Sequence, residues 1–294
     1  MTLKKRQKLR ILRNKITAPH IFCAAYGLKR IIMISELFAF MATVNTELST
    51  FLNTDVESYK IFDHTPYYIT FEDDFEGTEL DLSKWERCPE YKRQDLNNYW
   101  NDDMSYLDGE GHLVIEMCYN EERDSFDSGA VRTKDIFEQA YGYFEIKCTL
   151  NNIPGYWTAF WLMGDSVNSE KNGGRDGTEI DIYESPFYSE GKIQHTLNWD
   201  GYGYQHKSEG KVVDADVYDG EFHTFGLLWT ETEYVFFIDG EETWRTDAQK
   251  AKGTCQVPLY LIISSETGGW TGIPDKDMLP DRIYADYVRV YSAS

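Results

Sequence analysis

At 294 residues, 41% hydrophobic and 15% aromatic, the chain has ample material for a folded core, which excludes the disordered class. Its net charge of −21 is uneven: residues 1–30 carry nine basic side chains and no acid, leaving 20 bases against 50 acids, a net of −30, in the rest. That acidic body excludes nucleic acid and anionic membranes as partners, disfavours strongly sulfated polymers and leaves neutral substrates unaffected. Five widely spaced cysteines (Cys23, Cys88, Cys118, Cys148, Cys255) with no Cys-x-x-Cys pair argue against a zinc site or a disulfide framework and read mostly as buried thiols.

In chain order, residues 1–60 read as an N-terminal extension unlike the remainder of the chain. The basic run leads to an apolar block at 31–42, too short to span a membrane and interrupted by Glu36. A basic lead before a short apolar segment suggests an export signal, yet the block starts late and no clean small-residue cleavage site comes after it within residues 1–45. A degenerate signal, a helical extension and a start assigned too far upstream all stay open. The expected location is extracellular or at the cell surface, without stable membrane insertion.

Residues 61–294 read as one β domain. After the turn Asp74-Phe75-Glu76-Gly77 comes Leu80-Asp81-Leu82-Ser83-Lys84-Trp85, then a strand from His112 to Met117 behind the turn Asp108-Gly109-Glu110-Gly111. Tyr141 to Cys148 alternates as a half-buried strand does, and Trp157 to Met163 is a nearly continuous apolar run. Further strands are expected at Lys192 to Trp199, Phe222 to Trp229, Leu259 to Ser264 and Ile283 to Tyr291. Asp239-Gly240 joins Tyr234–Ile238 to Glu241–Arg245 as a hairpin. Many short strands with turn signals and little helical periodicity predict an all-β fold, two antiparallel sheets packed face to face as a sandwich or jelly roll.

Function turns on the stretch Gly177-Thr178-Glu179-Ile180-Asp181-Ile182-Tyr183-Glu184-Ser185. Strand side chains alternate between faces, so Glu179 and Asp181 project from one face and Ile180 and Ile182 from the other. Glu184 lies five residues after Glu179, an odd separation that sends it to the opposite side of a regular strand. A β-bulge near Ile182 and Tyr183 would return it to the face of the other two acids, and bulges are frequent beside active sites. Acids alternating with apolar residues are equally the mark of a strand with one solvated face, and these residues alone do not separate the two readings. Retaining glycoside hydrolysis needs two carboxyl groups roughly 5–5.5 Å apart, one to attack the anomeric carbon and one to protonate the leaving oxygen. On a bulged strand Glu179 and Glu184 meet that need. Asp181 between them can hold or share a proton, because like charges at short range push their pKa values apart.

Glu179-Ile180-Asp181-Ile182-Tyr183-Glu184 resembles the active-site signature of glycoside hydrolase family 16 in its longer, bulged form, E-[I/L/V]-D-x-x-E. That form is typical of laminarinase-like members and some marine galactanases, while lichenases and xyloglucan transglycosylases usually have E-x-D-x-E. Upstream, Gly155-Tyr156-Trp157-Thr158-Ala159-Phe160-Trp161 is similar to the family's G-x-W-P-A-F-W strand. Asp74-Phe75-x-Gly77, Gly111–Ile115, Gly129–Thr133, Tyr141–Glu145 and Ala285–Tyr291 fall in the family's order, so the resemblance runs over about residues 66–292.

The resemblance implies a concanavalin-like β-jelly-roll sandwich, with Glu179 as nucleophile, Glu184 as general acid/base and Asp181 as assisting acid. It also implies that Trp157 and Trp161 floor the cleft, where indole faces stack on sugar rings. Core packing is the plain alternative for both. His195, on the next strand, is implied near the acid/base, Asn98 and Trp100 resemble the N-terminal cleft loop, and Trp199 and Trp270 are further aromatic candidates for substrate. The chain departs from the commoner family pattern at Glu266, where small apolar residues are usual. A structural calcium, common in the family, would take the carbonyls of Asp74 and Gly111 and the Asp286 carboxylate, oxygen ligands suited to a hard cation. Asp286 is equally placed to cap a turn. Catalysis needs no cofactor.

The leading expectation is a monomeric, retaining endo-β-glucanase that hydrolyses internal β-1,3 or mixed β-1,3/1,4 bonds of neutral glucans such as laminarin, lichenan and cereal β-glucan. A galactanase or transglycosylase of the same family stays open, as does a non-catalytic glycan-binding lectin on the same sandwich. An intact acid trio speaks against the lectin, which gains nothing from three mutually repelling carboxylates.

Overall fold

The computed structural model describes residues 67–88, 91–92, 97–187, 190–247 and 253–293. The extension of residues 1–60, with its reading as an export signal, lies outside the described residues, as does Cys23. Among the described residues the strands are β1 (Tyr67–Asp73), β2 (Glu86–Arg87), β3 (Tyr91–Lys92), β4 (Asn98–Trp100), β5 (Ser105–Leu107) and β6 (Leu113–Asn120). Next come β7 (Ser125–Ser128), β8 (Ala130–Arg132), β9 (Gly142–Cys148), β10 (Trp157–Met163), β11 (Thr178–Phe187) and β12 (Lys192–Trp199). The last six are β13 (Lys207–Asp214), β14 (His223–Trp229), β15 (Tyr234–Ile238), β16 (Glu241–Thr246), β17 (Tyr260–Glu266) and β18 (Asp281–Ala293). Helical structure among them is confined to short 3-10 turns such as Asp102–Met104.

These strands form the expected two-sheet sandwich. One sheet runs β13-β12-β11-β10-β17-β8-β2; the other runs β16-β15-β14-β9-β18-β6-β7-β4-β3, with β1 on β18 and β5 on β6. Pairing is antiparallel except that the short β4 runs parallel to β7, Asn98 opposite Phe126. Leu80–Trp85, which follows the turn at Asp74–Gly77, is itself a turn. Asp81 folds it: the Ser83 backbone N–H donates to Asp81 Oδ1 at 2.9 Å, and the Lys84 and Trp85 N–H groups donate to the Asp81 carbonyl. Leu80 and Trp85 still enter the core, where the Trp85 indole N–H donates to Asp73 Oδ2 at 2.8 Å.

The core lies between the sheets. Phe144, Ile146, Phe225, Leu227, Phe236, Val288 and Val290 from one sheet meet Phe160, Leu162, Ile180, Ile193, Leu197, Leu261 and Ile263 from the other, all fully buried. Each such side chain contributes about 1.5–3 kcal/mol relative to exposure, so the alternation along every strand is enforced by the core. The opposite face of the β10–β11–β17 sheet is thereby fixed as the polar one. Cys88, Cys148 and Cys255 are buried free thiols and Cys118 is half-buried. At the sheet's edge, β13 is solvent-exposed and carries Lys207, Glu209, Lys211 and Asp214, charges that discourage edge-to-edge pairing. Among the described residues no helix is long and apolar enough to cross a membrane.

Candidate active site

Strand β11 brings the three acids together through a bulge. Ile180 and Ile182 turn into the core as alternation requires, and Tyr183 turns in as well, its ring 4.4 Å from that of Phe225 and its hydroxyl facing the Cys148 thiol at 3.5 Å. Two consecutive inward residues use up one step of alternation. The register records it: on β10, Ala159 faces Glu184 and Phe160 faces Tyr183, but the next residue, Trp161, faces Asp181. Glu184 therefore shares the outer face with Glu179 and Asp181, where all three line one cavity with Trp157, Ala159, Trp161, Asn198, Ser264 and Glu266.

Strand β12 supplies the polar contacts. Asn198 lies opposite Glu179, and Thr196 opposite Asp181, so both share their face. The Asn198 amide donates to Glu179 Oε1 at 2.9 Å and to Asp181 Oδ2 at 3.1 Å, tying two acids together. The Thr196 hydroxyl donates to Glu184 Oε2 at 2.8 Å and accepts from the Gln194 amide at 2.9 Å. His206 Nε2 faces Asn198 Oδ1 at 3.1 Å, which leaves the amide nitrogen to the carboxylates. From the loop after β12, the Tyr202 hydroxyl donates to the other oxygen of Glu179.

Burial holds the Asp181 carboxyl well above the usual carboxylate range, and the charges of Glu184 and Glu179 push it the same way against the Asn198 hydrogen bond. Asp181 therefore holds a proton more tightly than a free carboxyl does, between two glutamates.

Trp157 and Trp161 are half-buried in the cavity wall, and the Trp161 indole N–H donates to Ser264 Oγ at 3.1 Å. Trp270 stands edge-on to Trp157, ring centroids 5.5 Å apart. Four expected substrate contacts lie elsewhere. His195 is fully buried on the core side of β12: Nδ1 meets the Ile182 carbonyl at 2.6 Å, Nε2 meets Thr243 Oγ1 at 2.9 Å, and the ring packs on Phe236. Trp199, on the same strand, joins the same core. Alternation explains both, since the cleft face of β12 belongs to Gln194, Thr196 and Asn198. Asn98 is buried where β4 meets β7, donating to Ser128 Oγ at 2.8 Å, and Trp100 packs with Tyr260, Ile262 and Trp161, its N–H donating to the Ser265 carbonyl at 3.3 Å. Neither lines the acid cavity. Asn198, Thr196 and Tyr202 were not among the expected site residues; the polar-apolar alternation of β12 carried the signal for the first two.

Among the described residues no group of three or more His, Cys, Asp or Glu side chains could hold a metal ion. Asp286, the side-chain ligand of the expected calcium set, accepts from the Lys147 ammonium at 2.8 Å, and Asp74 Oδ1 accepts from the Arg289 guanidinium at 2.9 Å. Asp286 Oδ2 and Asp74 Oδ1 are thus each paired with a basic side chain. A hollow of about 270 Å³ by Thr149, Asn151, Tyr218 and Asp281 is larger than the acid cavity. Its Asp219 is tied to His223 and its Arg282 to Glu116.

Residues 68–293 match the family model described as "Beta-porphyranase A-D, GH16 domain". Endo-1,3-1,4-beta-glycanase ExsH of Rhizobium meliloti is 31% identical over 172 residues, covering 57% of this chain and 34% of that protein. Glucan endo-1,3-beta-glucosidase A1 of Niallia circulans is 25% identical over 76% of this chain and 37% of that protein. The chain thus spans about a third of the length of these curated relatives. Among solved structures, the laminarinase from Rhodothermus marinus superposes with a TM-score of 0.67 at 23% identity, covering 79% of this chain and 100% of that one, a likeness of fold.

Proposed function

Because the chain belongs to glycoside hydrolase family 16 over residues 68–293, we propose that it is a retaining endo-β-glucanase that cuts internal β-1,3 or mixed β-1,3/1,4 bonds. The observation that carries this reading is the bulge-assembled row of Glu179, Asp181 and Glu184 on one face of β11, beside the indoles of Trp157 and Trp161. The glucan-directed names of the relatives support the sugar.

In the first step Glu179 attacks the anomeric carbon while Glu184 gives its proton to the leaving oxygen, which forms a glycosyl-enzyme. In the second, Glu184 takes a proton from water, the hydroxide attacks the same carbon, and Glu179 leaves as a carboxylate. Glu184 regains its proton in the process, so no cofactor enters. Asp181, which holds its proton more tightly than a free carboxyl, can share it with Glu179 and so offset the charge that appears and disappears there. Asn198 fixes the spacing of that pair and Thr196 aims Glu184.

Glu179→Gln and Glu184→Gln should each abolish release of reducing ends from laminarin and barley β-glucan while leaving the melting temperature close to wild type. Wild-type turnover by either variant would refute the assignment. Because catalysis uses no cofactor, a chelator should leave turnover by the folded protein unchanged, while a chelator-sensitive melting temperature would point to structural calcium held by the Asp74 and Gly111 carbonyls and Asp286.

A second reading, a galactanase with the same mechanism, is favoured by the description of the matching family model. Product analysis over a panel of glucans, agarose and porphyran separates the two, and chain lengthening there would reveal a transglycosylase. Binding without cleavage would instead favour a lectin. We further infer a monomer that works outside the cytoplasm or at the cell surface, where a polymer can be cut before uptake. Recovery of the full-length chain only from cytosol would count against that location.

A further inference from the structure

The acids of the cleft project from the outer face of one sheet, and the other sheet has an outer face of its own. On that sheet Cys148, Ile283 and Ala285 turn into the core, so alternation puts Thr149, just past β9, and Arg282 and Tyr284, on β18, on the outside. Together with Asn151 and with Tyr218 and Asp219, from the loop before β14, they line the hollow of about 270 Å³. The hollow therefore lies across the sandwich from the acid trio, and its size is near the lower bound of ligand pockets, about 300 Å³.

Its walls are held in place by the protein itself. The Thr149 backbone N–H donates to the Tyr284 carbonyl at 2.9 Å, and the Tyr284 N–H donates back to the Thr149 hydroxyl at 3.0 Å. The Tyr218 hydroxyl donates to the Lys192 carbonyl at 2.8 Å, and an edge contact with His112, ring centroids 6.0 Å apart, fixes the Tyr284 ring. Asp219 Oδ1 accepts from the Glu221 N–H at 2.9 Å. Asn151 is the exception. It is 8% exposed, and neither the oxygen nor the nitrogen of its amide has a hydrogen-bond partner among the described residues. An amide buried in that way costs stability that an apolar side chain in its place would not. A residue that breaks such a rule with no structural gain is expected where a protein binds something.

We propose that this hollow is a second sugar-binding site, remote from catalysis, which takes a ring of a neutral polysaccharide and holds long chains to the enzyme. The Asn151 amide offers one acceptor and two donor hydrogens about a torsion with broad wells, so it can turn to a pair of adjacent sugar hydroxyls, each of which donates and accepts. The Asp219 and Asp281 carboxylates accept from further hydroxyls, and Tyr218 and Tyr284 supply apolar ring surface for a pyranose. Charge selects against an anion there: two carboxylates line the hollow, and its Arg282 is already held by Glu116 Oε2 at 2.6 Å. A chain anchored here stays close to the cleft between cuts, which raises its effective concentration at the acids. The site stands on its own residues; only the choice of a β-glucan as the polymer rests on the glucanase reading.

The test is NMR and calorimetry on the full-length chain carrying Glu179→Gln, which keeps the probe intact, titrated separately with laminarihexaose, a mixed-linkage glucan tetrasaccharide and neutral agarohexaose. At least one probe should give two binding events, and the Asn151 side-chain amide resonances should move with one of them. Asn151→Ala and, at the rim, Asp281→Ala should each weaken that event about tenfold and leave the other unchanged. In the otherwise wild-type enzyme, Asn151→Ala should slow release of reducing ends from insoluble β-1,3-glucan several-fold while kcat/KM on laminarihexaose stays the same. Its melting temperature should be no lower than wild type, because an unpartnered amide is removed; a merely structural asparagine would lower it and leave both events intact. Asn151 resonances that stay still with all three probes overturn the proposal, as does an unchanged Kd for both events in the two variants. A second event without cleavage of any glucan would refute the glucanase reading and leave this site standing, whereas cleavage with a single event does the reverse.

Discussion

Asp181 and His195, buried titratable groups on the paired strands β11 and β12, carry opposite pH signatures. Asp181 has its folded pKa raised well above 3.8 by burial and by Glu184 and Glu179. Above that unfolded value the unfolded chain releases the proton and the folded chain keeps it, so the residue costs stability increasingly as pH rises, until the folded pKa is reached. Asp181→Asn removes that cost and can still accept from Asn198. The variant should melt higher than wild type at neutral pH, with the gap closing towards pH 4, while turnover falls; equal gaps at both pH values would show that the carboxyl is not held neutral. His195 is the reverse: burial pushes its imidazole down to about 4 from 6.5. As pH falls below 6.5 the unfolded chain takes a proton that the folded chain refuses, so about 3 kcal/mol of stability is lost between there and pH 4. His195→Gln should flatten that slope in urea titrations, and an unchanged slope would acquit the imidazole.

At the scale of the element, the site depends on one extra residue in β11. Tyr183 is fully buried, so the core holds the bulge closed. Deleting Tyr183 leaves Glu-Ile-Asp-Ile-Glu, in which plain alternation keeps all three acids on the cleft face. The deletion should therefore cost stability, roughly 3–5 kcal/mol for a lost core ring, yet retain measurable hydrolysis, unlike Glu184→Gln. A folded deletion variant as inert as Glu184→Gln would show that the spacing set by the bulge matters beyond the face. This bulge was legible in the sequence because an odd Glu179–Glu184 separation admits few ways of sharing a face. The face of β12 was legible too, because parity assigns His195 and Trp199 to the core even though the family resemblance implied a place for His195 near the acid/base. Other features depend on pairings that no local pattern encodes. Glu266 meets Trp157 only through the β17–β10 register, between segments far apart in the chain, and Tyr202 reaches Glu179 from a loop. Likewise the parallel β4–β7 pair gives no periodicity distinct from an antiparallel one.

At the scale of the whole molecule, charge governs which polymers can approach the cleft. Residues 31–294 carry a net charge of −30, and several described cations are already paired, among them Arg123 with Asp127, Arg132 with Glu86, Lys134 with Asp165 and Lys147 with Asp286. A sulfated polymer approaching the cleft meets a repulsive field whose reach is about 30 Å at 10 mM salt and about 8 Å at 150 mM. A neutral glucan meets none. Between those two salt concentrations, kcat/KM on laminarin should stay nearly flat, while affinity for a sulfated galactan should improve as salt screens the body. If sulfated galactan instead binds more weakly as salt rises, attraction rather than repulsion governs its approach, and the galactanase reading gains over the glucanase one.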